Sequence, residues 1–188
     1  MDLSYQVLGL IRNVAAHSAF VFLAVALVHA ARASYWKRAA TTDALTGVGN
    51  RRRADHWLAQ ARGRMVAVLL DVDHFKQYND TRGHLAGDEL LRKVGAILRG
   101  HVRRGDLVAR WGGEEFLLVF TGMAVGEVQA VTERLRNAIA SATGVTVSAG
   151  IAVREEEAVL ATVEHADQAL YRAKEVRNQQ VVWKGEAA

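Results

Sequence analysis

"RWGGEEFLLVF", residues 110–120, sets two glycines and two glutamates directly before a run with the character of a buried strand. Glycine weakens strands and glutamate forms them poorly, so their place at the head of such a run marks a corner. The stretch reads as a tight hairpin: strand Leu107 to Trp111, a turn at Gly112 and Gly113, and strand Glu115 to Phe120. The glycines allow positive φ in the turn and let a ligand come close to the backbone. Taken alone, the segment also fits a plain hairpin with solvated charges at its tip.

Outward from the hairpin, the chain supplies a second acidic corner. "MVAVLLDVD" (65–73) is a continuous apolar run ending in Asp71 and Asp73, the pattern of a central strand that delivers carboxylates at its C-terminal end. Ahead of it, "TTDALTGVGNRRR" (41–53) reads as a junction leading into a helix from Asn50 to about Ala61. Behind it, from Gly87, the residues Leu90, Leu91, Val94, Ile97 and Leu98 fall at helical spacing. After the hairpin come a helix from Val125 to Thr143, a strand from Gly144 to Val153, a helix from Val159 to about Arg177 and a closing strand at 181–183.

The core order βαββαβ predicts an α+β, ferredoxin-like sheet with helices on one face. In that topology the strand ending at Asp73 neighbours the hairpin, so Asp71 and Asp73 meet Glu114 and Glu115. Crowded carboxylates repel unless cations occupy the space between them. Oxygen ligands without nearby His or Cys suit Mg²⁺ or Mn²⁺. Two such ions about 3.5–4 Å apart can activate an attacking hydroxyl and stabilise a leaving phosphate.

The bulk properties narrow the function classes. The 188 residues suit one ordinary domain with an appendage, and the absence of cysteine excludes disulfides and thiolate metal sites, which fits a reducing cytosol. The net charge of +4 is unevenly placed: residues 1–64 hold nine Lys/Arg against three Asp/Glu, and the remainder is slightly acidic. A nucleic-acid binder concentrates positive charge on its working face, so the acidic body argues against nucleic acid as a partner.

The N-terminal segment has competing readings. Residues 13–31, "NVAAHSAFVFLAVALVHAA", contain no Lys, Arg, Asp or Glu, near the minimum length for a membrane-spanning helix. Arg32, Lys37 and Arg38 follow, which places the C-terminal side in the cytoplasm and the anchor in the inner membrane. The series Leu3, Val7, Leu10, Val14, His17, Val21, Ala24, Val28, Ala31, Tyr35 equally forms a heptad seam for a dimerising helix pair. A cleaved signal ending near Ala31 is a third reading, opposed by the basic residues beyond it.

"GGEEF" (112–116) resembles the signature of the GGDEF-domain diguanylate cyclases, and the rest of that family's pattern follows in order. It comprises "DALTGVGNRR" (43–52), "DVDHFKQYND" (71–80), "GHLAGDE" (83–89) and "ADQALYRAK" (166–174). The resemblance covers about residues 41–178 and implies a cyclase/polymerase-palm-type domain at 41–184, an N-terminal helix at 1–40 and a tail at 185–188. It implies condensation of two GTP into cyclic di-GMP with release of two pyrophosphates, by a homodimer in which each subunit binds one GTP and two metal ions.

Carried over residue by residue, the resemblance makes Asp71, Glu114, Glu115 and the Val72 carbonyl metal ligands. Glu114 becomes the candidate base, and Lys76 stabilises charge on the phosphates. Asn79 and Asp88 would read guanine, whose N1–H and amino group suit a carboxylate, while His84 and Lys174 would support substrate binding. Asn79 and His84 also fit turn chemistry, Asp88 a helix N-terminal acid and Lys76 a surface lysine. Arg103 and Asp106, in "RRGD", resemble the family's RxxD product-inhibition site, with Arg134 as a partner arginine. By spacing alone they also fit a surface salt bridge and a solvated helix arginine.

The chain departs from the family at two places. "KEVRN" (174–178) stands where the family commonly has K-x-x-G-R-N, so the glycine is missing and Arg177 is shifted. Arg82 stands where an aromatic usually precedes the "GH" of the guanine loop.

Overall fold

β1 (Met65–Val72) is buried along its whole length, and the sheet is built around it. The computed structural model describes residues 17, 20–30, 32, 40–154 and 158–185. The chain divides into two units, residues 1–40 and 41–188.

In the second unit the elements run α2 (Arg51–Gln60), β1, α3 (Phe75–Arg82), α4 (His84–His101), β2 (Leu107–Arg110), β3 (Glu115–Thr121), α5 (Val125–Thr143), β4 (Val147–Val153), α6 (Val159–Val176) and β5 (Gln180–Val182). The sheet order is β2-β3-β1-β4-β5. β1 runs antiparallel to both β3 and β4, β2 antiparallel to β3, and β5 parallel to β4. That is the ferredoxin-like arrangement extended by one parallel edge strand.

The helices do not keep to one face. Val66, Val68, Leu70 and Val72 of β1 pack with Leu91, Val94 and Leu98 of α4 and Leu135 and Ile139 of α5. Met65, Ala67 and Leu69 pack with Leu58 of α2 and Val163, Ala166 and Leu170 of α6. This corrects the one-face expectation: a strand apolar at every position up to Asp71 needs a partner on each side. α6 comes unusually close because β4 offers Gly150, where a Cβ would lie 2.0 Å from the Ala166 carbonyl oxygen. The seating fixes the height of Lys174 in the last turn of α6.

In the first unit, residues 20–30 form a helix, α1, with Phe20, Phe22, Leu23 and Leu27 exposed. Among the described residues no helix is long and apolar enough to cross a membrane. The apolar span 13–31 and the heptad seam from Leu3 to Tyr35 fall partly outside the described residues.

Candidate active site

The register of the sheet brings the two acidic corners together. Asp71 on β1 lies directly opposite Glu115 on β3, and the Val72 N–H donates to the Glu114 carbonyl at 3.3 Å. Asp71, Val72, Asp73, Lys76, Glu114, Lys174 and Arg177 line one open cleft of about 400 Å³.

The charges in this cleft are poorly balanced. Asp71 is 5% exposed and is paired with the Lys174 ammonium at 2.8 Å. Burial nevertheless holds its carboxyl above the ordinary carboxylate value, against the pull of Lys174 and with a further push from Asp73. Glu114 and Glu115 are also raised, first by burial and then by the negative charge of Asp71. Surplus negative charge on hard oxygen donors is the condition a divalent cation relieves, so the donor set fits Mg²⁺ or Mn²⁺. Among the described residues no group of three or more His, Asp or Glu side chains is placed to hold a metal ion.

Asp73 plays a different part from its neighbour. Its carboxylate accepts the hydroxyls of Thr146 and Ser148, each at 2.7 Å, and the Asn178 N–H at 3.1 Å. Those bonds tie β1 to β4 and to the segment after α6. Asp73 therefore lines the cleft with both carboxylate oxygens already engaged.

The hairpin turn is built differently from its glycine signature. Neither Gly112 nor Gly113 uses the positive φ that glycine allows. A Cβ on Gly112 would sit 2.3 Å from a Glu115 carboxylate oxygen, so any larger residue there would push that side chain aside. Gly113 has nothing within 4 Å of a built Cβ and leaves its backbone open. The turn is gripped by Arg110, which donates to the Gly113 carbonyl at 3.0 and 2.6 Å and pairs with Asp43 at 3.4 Å. Asp43 also accepts the Thr46 N–H and hydroxyl, so the "DALT" junction braces the turn that carries Glu114. Sequence reasoning did not assign Arg110 a role.

The remaining expected residues spread over α3 and α4. Lys76 is exposed at the first turn of α3. Asn79 Oδ1 is buried and accepts no hydrogen bond among the described residues. It lies against Gly87, where a Cβ would be 1.8 Å away. His84 is exposed at the start of α4. Asp88 is half-buried and lies beyond the first turn of that helix, which weakens its reading as an N-terminal acid. Asn79, His84 and Asp88 are not part of the cleft lining around Asp71.

At the opposite end of the hairpin, Arg103 donates to Asp106 at 2.9 Å and to the Thr121 carbonyl, while Asp106 accepts the Thr121 N–H at 3.2 Å. A pocket of about 310 Å³ there is lined by Arg53, Arg99, Arg103, Arg104 and Asp106 among others. Arg134 is exposed on α5 and is not part of that lining.

Residues 40–180 match the family model described as "Diguanylate cyclase, GGDEF domain". The chain belongs to the GGDEF family. It is 42% identical over 154 residues to diguanylate cyclase DgcP of Pseudomonas aeruginosa, covering 73% of this chain and 23% of that protein. It is 38% identical over 151 residues to diguanylate cyclase DgcM of Escherichia coli, covering 73% of this chain and 37% of the relative. The match thus spans well under half the length of these curated relatives. The coiled coil and GGDEF domain of DgcB from Caulobacter crescentus, crystallised with c-di-GMP, superposes with a TM-score of 0.78 at 32% identity, covering 88% of this chain and 98% of that one. The GGDEF membership accounts for the α+β fold and for the acidic hairpin beside β1.

Proposed function

We propose that this GGDEF chain is a diguanylate cyclase, condensing two GTP into cyclic di-GMP and releasing two pyrophosphates. The observation that carries the reading is the meeting of Asp71 and Glu114 in one cleft with Lys76, Lys174 and Arg177 on its walls. An acidic centre ringed by cations matches a reaction that needs both divalent ions and neutralisation of phosphate charge.

Asp71, Glu114, Glu115 and the Val72 carbonyl would hold Mg²⁺ or Mn²⁺, two ions per half-site. When bound, such ions supply charge neutralisation at phosphate oxygens and acidify a coordinated hydroxyl. Glu114, whose proton affinity is raised by burial and by Asp71, is suited to accept the proton of the ribose 3′-hydroxyl. The N-terminal end of α3 opens on the cleft without a side-chain cap, so its first-turn N–H groups and Lys76 can receive a phosphate. The orphaned acceptor of Asn79 beside the Asp88 turn suits a donor-bearing base edge, as guanine presents, and His84 would close over it.

One half-site binds one GTP, so two subunits must face each other, each 3′-hydroxyl attacking the α-phosphate held by the other. The N-terminal helix would raise the effective concentration of the pair, from within the inner membrane or as a heptad seam, with the catalytic domain in the cytoplasm. Cyclic di-GMP would return to the arginine pocket around Arg103 and Asp106, with Arg134 from a second subunit, and inhibit.

Purified protein incubated with GTP and Mg²⁺ should form cyclic di-GMP and pyrophosphate. Deleting residues 1–38 should lower specific activity at low protein concentration. Tight binding of cyclic di-GMP with no turnover at any protein concentration would replace the enzyme by a receptor.

A further inference from the structure

The segment that carries Lys174 and Arg177 into the cleft is held from behind. α6 ends at Val176, and the next two residues have positive φ although neither is glycine: Arg177 at φ 65, ψ 172 and Asn178 at φ 46. Arg177 lies in a region that is essentially glycine's own, and such a conformation costs on the order of 1–3 kcal/mol unless its surroundings over-determine it. The surroundings are unusual. Arg136 of α5, only 6% exposed, donates to the Asn178 carbonyl, to Asn178 Oδ1 at 2.7 Å and to the Val147 carbonyl of β4 at 3.2 Å. Glu133 is its counter-ion. The Asn178 N–H in turn donates to Asp73, which Thr146 and Ser148 also hold.

A helix-surface arginine is ordinarily solvated. This one is buried and spends its guanidinium on Glu133 beside it and, from distant parts of the chain, on the Asn178 side chain and two backbone carbonyls. Arg136 does not line the cleft, whereas Asp73, Lys174 and Arg177 do.

We infer that Arg136 is a positioning residue: by gripping Asn178 against Asp73 it fixes the strained turn that presents Arg177 to the nucleotide beside Lys174. The identity of that nucleotide rests on the cyclase reading. The latch explains how this chain keeps a working tail without the glycine its relatives commonly carry. Backbone strain at Arg177 is borne by hydrogen bonds from α5 and β1 instead of being avoided.

The test combines Arg136→Lys with Arg177→Gly. Lysine keeps a charge beside Glu133 but cannot reach Val147 and both oxygens of Asn178 together. Glycine removes the strain along with the guanidinium. For Arg136→Lys, KM for GTP should rise about tenfold while kcat changes less than about threefold, as loss of uniform binding requires. Amide exchange at residues 177–180, measured without nucleotide, should quicken about tenfold. In the Arg177→Gly background the lysine substitution should add less than about twofold to KM, because the turn no longer needs holding. Should Arg136→Lys fail to fold, Asn178→Ala, at an exposed position, should raise KM and quicken exchange in the same way.

Unchanged KM with a lowered thermal midpoint, or KM increases that multiply independently in the double variant, overturns the inference. A wild-type protein that makes no product refutes the cyclase reading instead. The exchange measurement then decides the latch by itself, and unchanged exchange in the folded variant overturns it.

Discussion

The two ends of the β2–β3 hairpin carry charge in opposite states. At the turn, Glu114 and Glu115 sit beside Asp71, and all three carboxyls are held above their ordinary values. At the far end, Asp106 is 1% exposed and has both oxygens occupied, one by Arg103 and the other by the Thr121 N–H. The same pair of strands thus ends in an unsatisfied cluster and in a closed one. Excess charge left buried without compensation is costly, and it persists where a ligand supplies the compensation. A closed cluster can bind a ligand only with the part still facing out. Here that part is Arg103, 56% exposed.

The largest effect should come from the unsatisfied end. Glu114→Gln should reduce cyclic di-GMP formation by about a hundredfold or more, the scale of a lost general base. Its thermal midpoint should stay level or rise, since a repelling charge is removed. Activity within about threefold of wild type would take Glu114 out of the chemistry. At the closed end the order reverses, and stability suffers first. Asp106→Ala strips partners from the Thr121 N–H and from Arg103, which should cost about 1–3 kcal/mol in urea unfolding with an unchanged m-value. No measurable loss would mean that the corner does not hold the end of β3.

How far the sequence reaches differs between these regions for a physical reason. Asp71 and Glu114 were legible because a central apolar strand and a glycine-marked turn each end in acid, and the βαββαβ order makes them neighbours. Two-sided covering of β1 was also written in its unbroken apolar run, although the one-face expectation passed over it. The role of Asp73 was not legible, because its partners Thr146, Ser148 and Asn178 are more than seventy positions away and carry no common spacing. Arg110 and Arg136 were hidden for a different reason. Each acts on a backbone carbonyl, and a carbonyl leaves no mark in the sequence. The shift of Arg177 looked like a loss of register, yet the residue still lines the cleft because its backbone takes a glycine-like turn.

A smaller effect should separate structure from regulation at the closed end. Arg103→Ala leaves the buried bond from Thr121 to Asp106 in place and removes the exposed cation with its bonds to Asp106 and the Thr121 carbonyl. The cyclic di-GMP concentration that halves activity should then rise about tenfold, as expected for one charge-assisted contact. An unchanged inhibition curve would leave Arg103 as a brace for the Thr121 carbonyl and nothing more.

The smallest effect is in pH, and it contrasts the cleft with Asp43 behind the turn. Burial would raise Asp43, but Thr46 and Arg110 outweigh it and hold the carboxyl below its ordinary value of 3.8. Its contribution to stability is therefore present above that value and is lost only as pH falls through the lowered one. The cleft acids have the opposite sign. Between their ordinary values, 3.8 for Asp71 and 4.5 for the glutamates, and their raised ones, the folded state binds more protons than the unfolded chain. Stability falls as pH climbs through that window, and the full penalty stands above the raised values. Metal-free wild type should accordingly gain about 2–4 °C more in thermal midpoint than a Glu114→Gln/Glu115→Gln variant when both are taken from pH 7.5 to pH 5. Mg²⁺ added at pH 7.5 should raise the wild-type midpoint and shrink the difference, because a bound cation replaces the proton as the compensating charge. Parallel pH curves for the two proteins would mean that the carboxylates at the turn are as fully compensated as those at the closed end, and the contrast between the two ends would no longer separate a working site from a structural one.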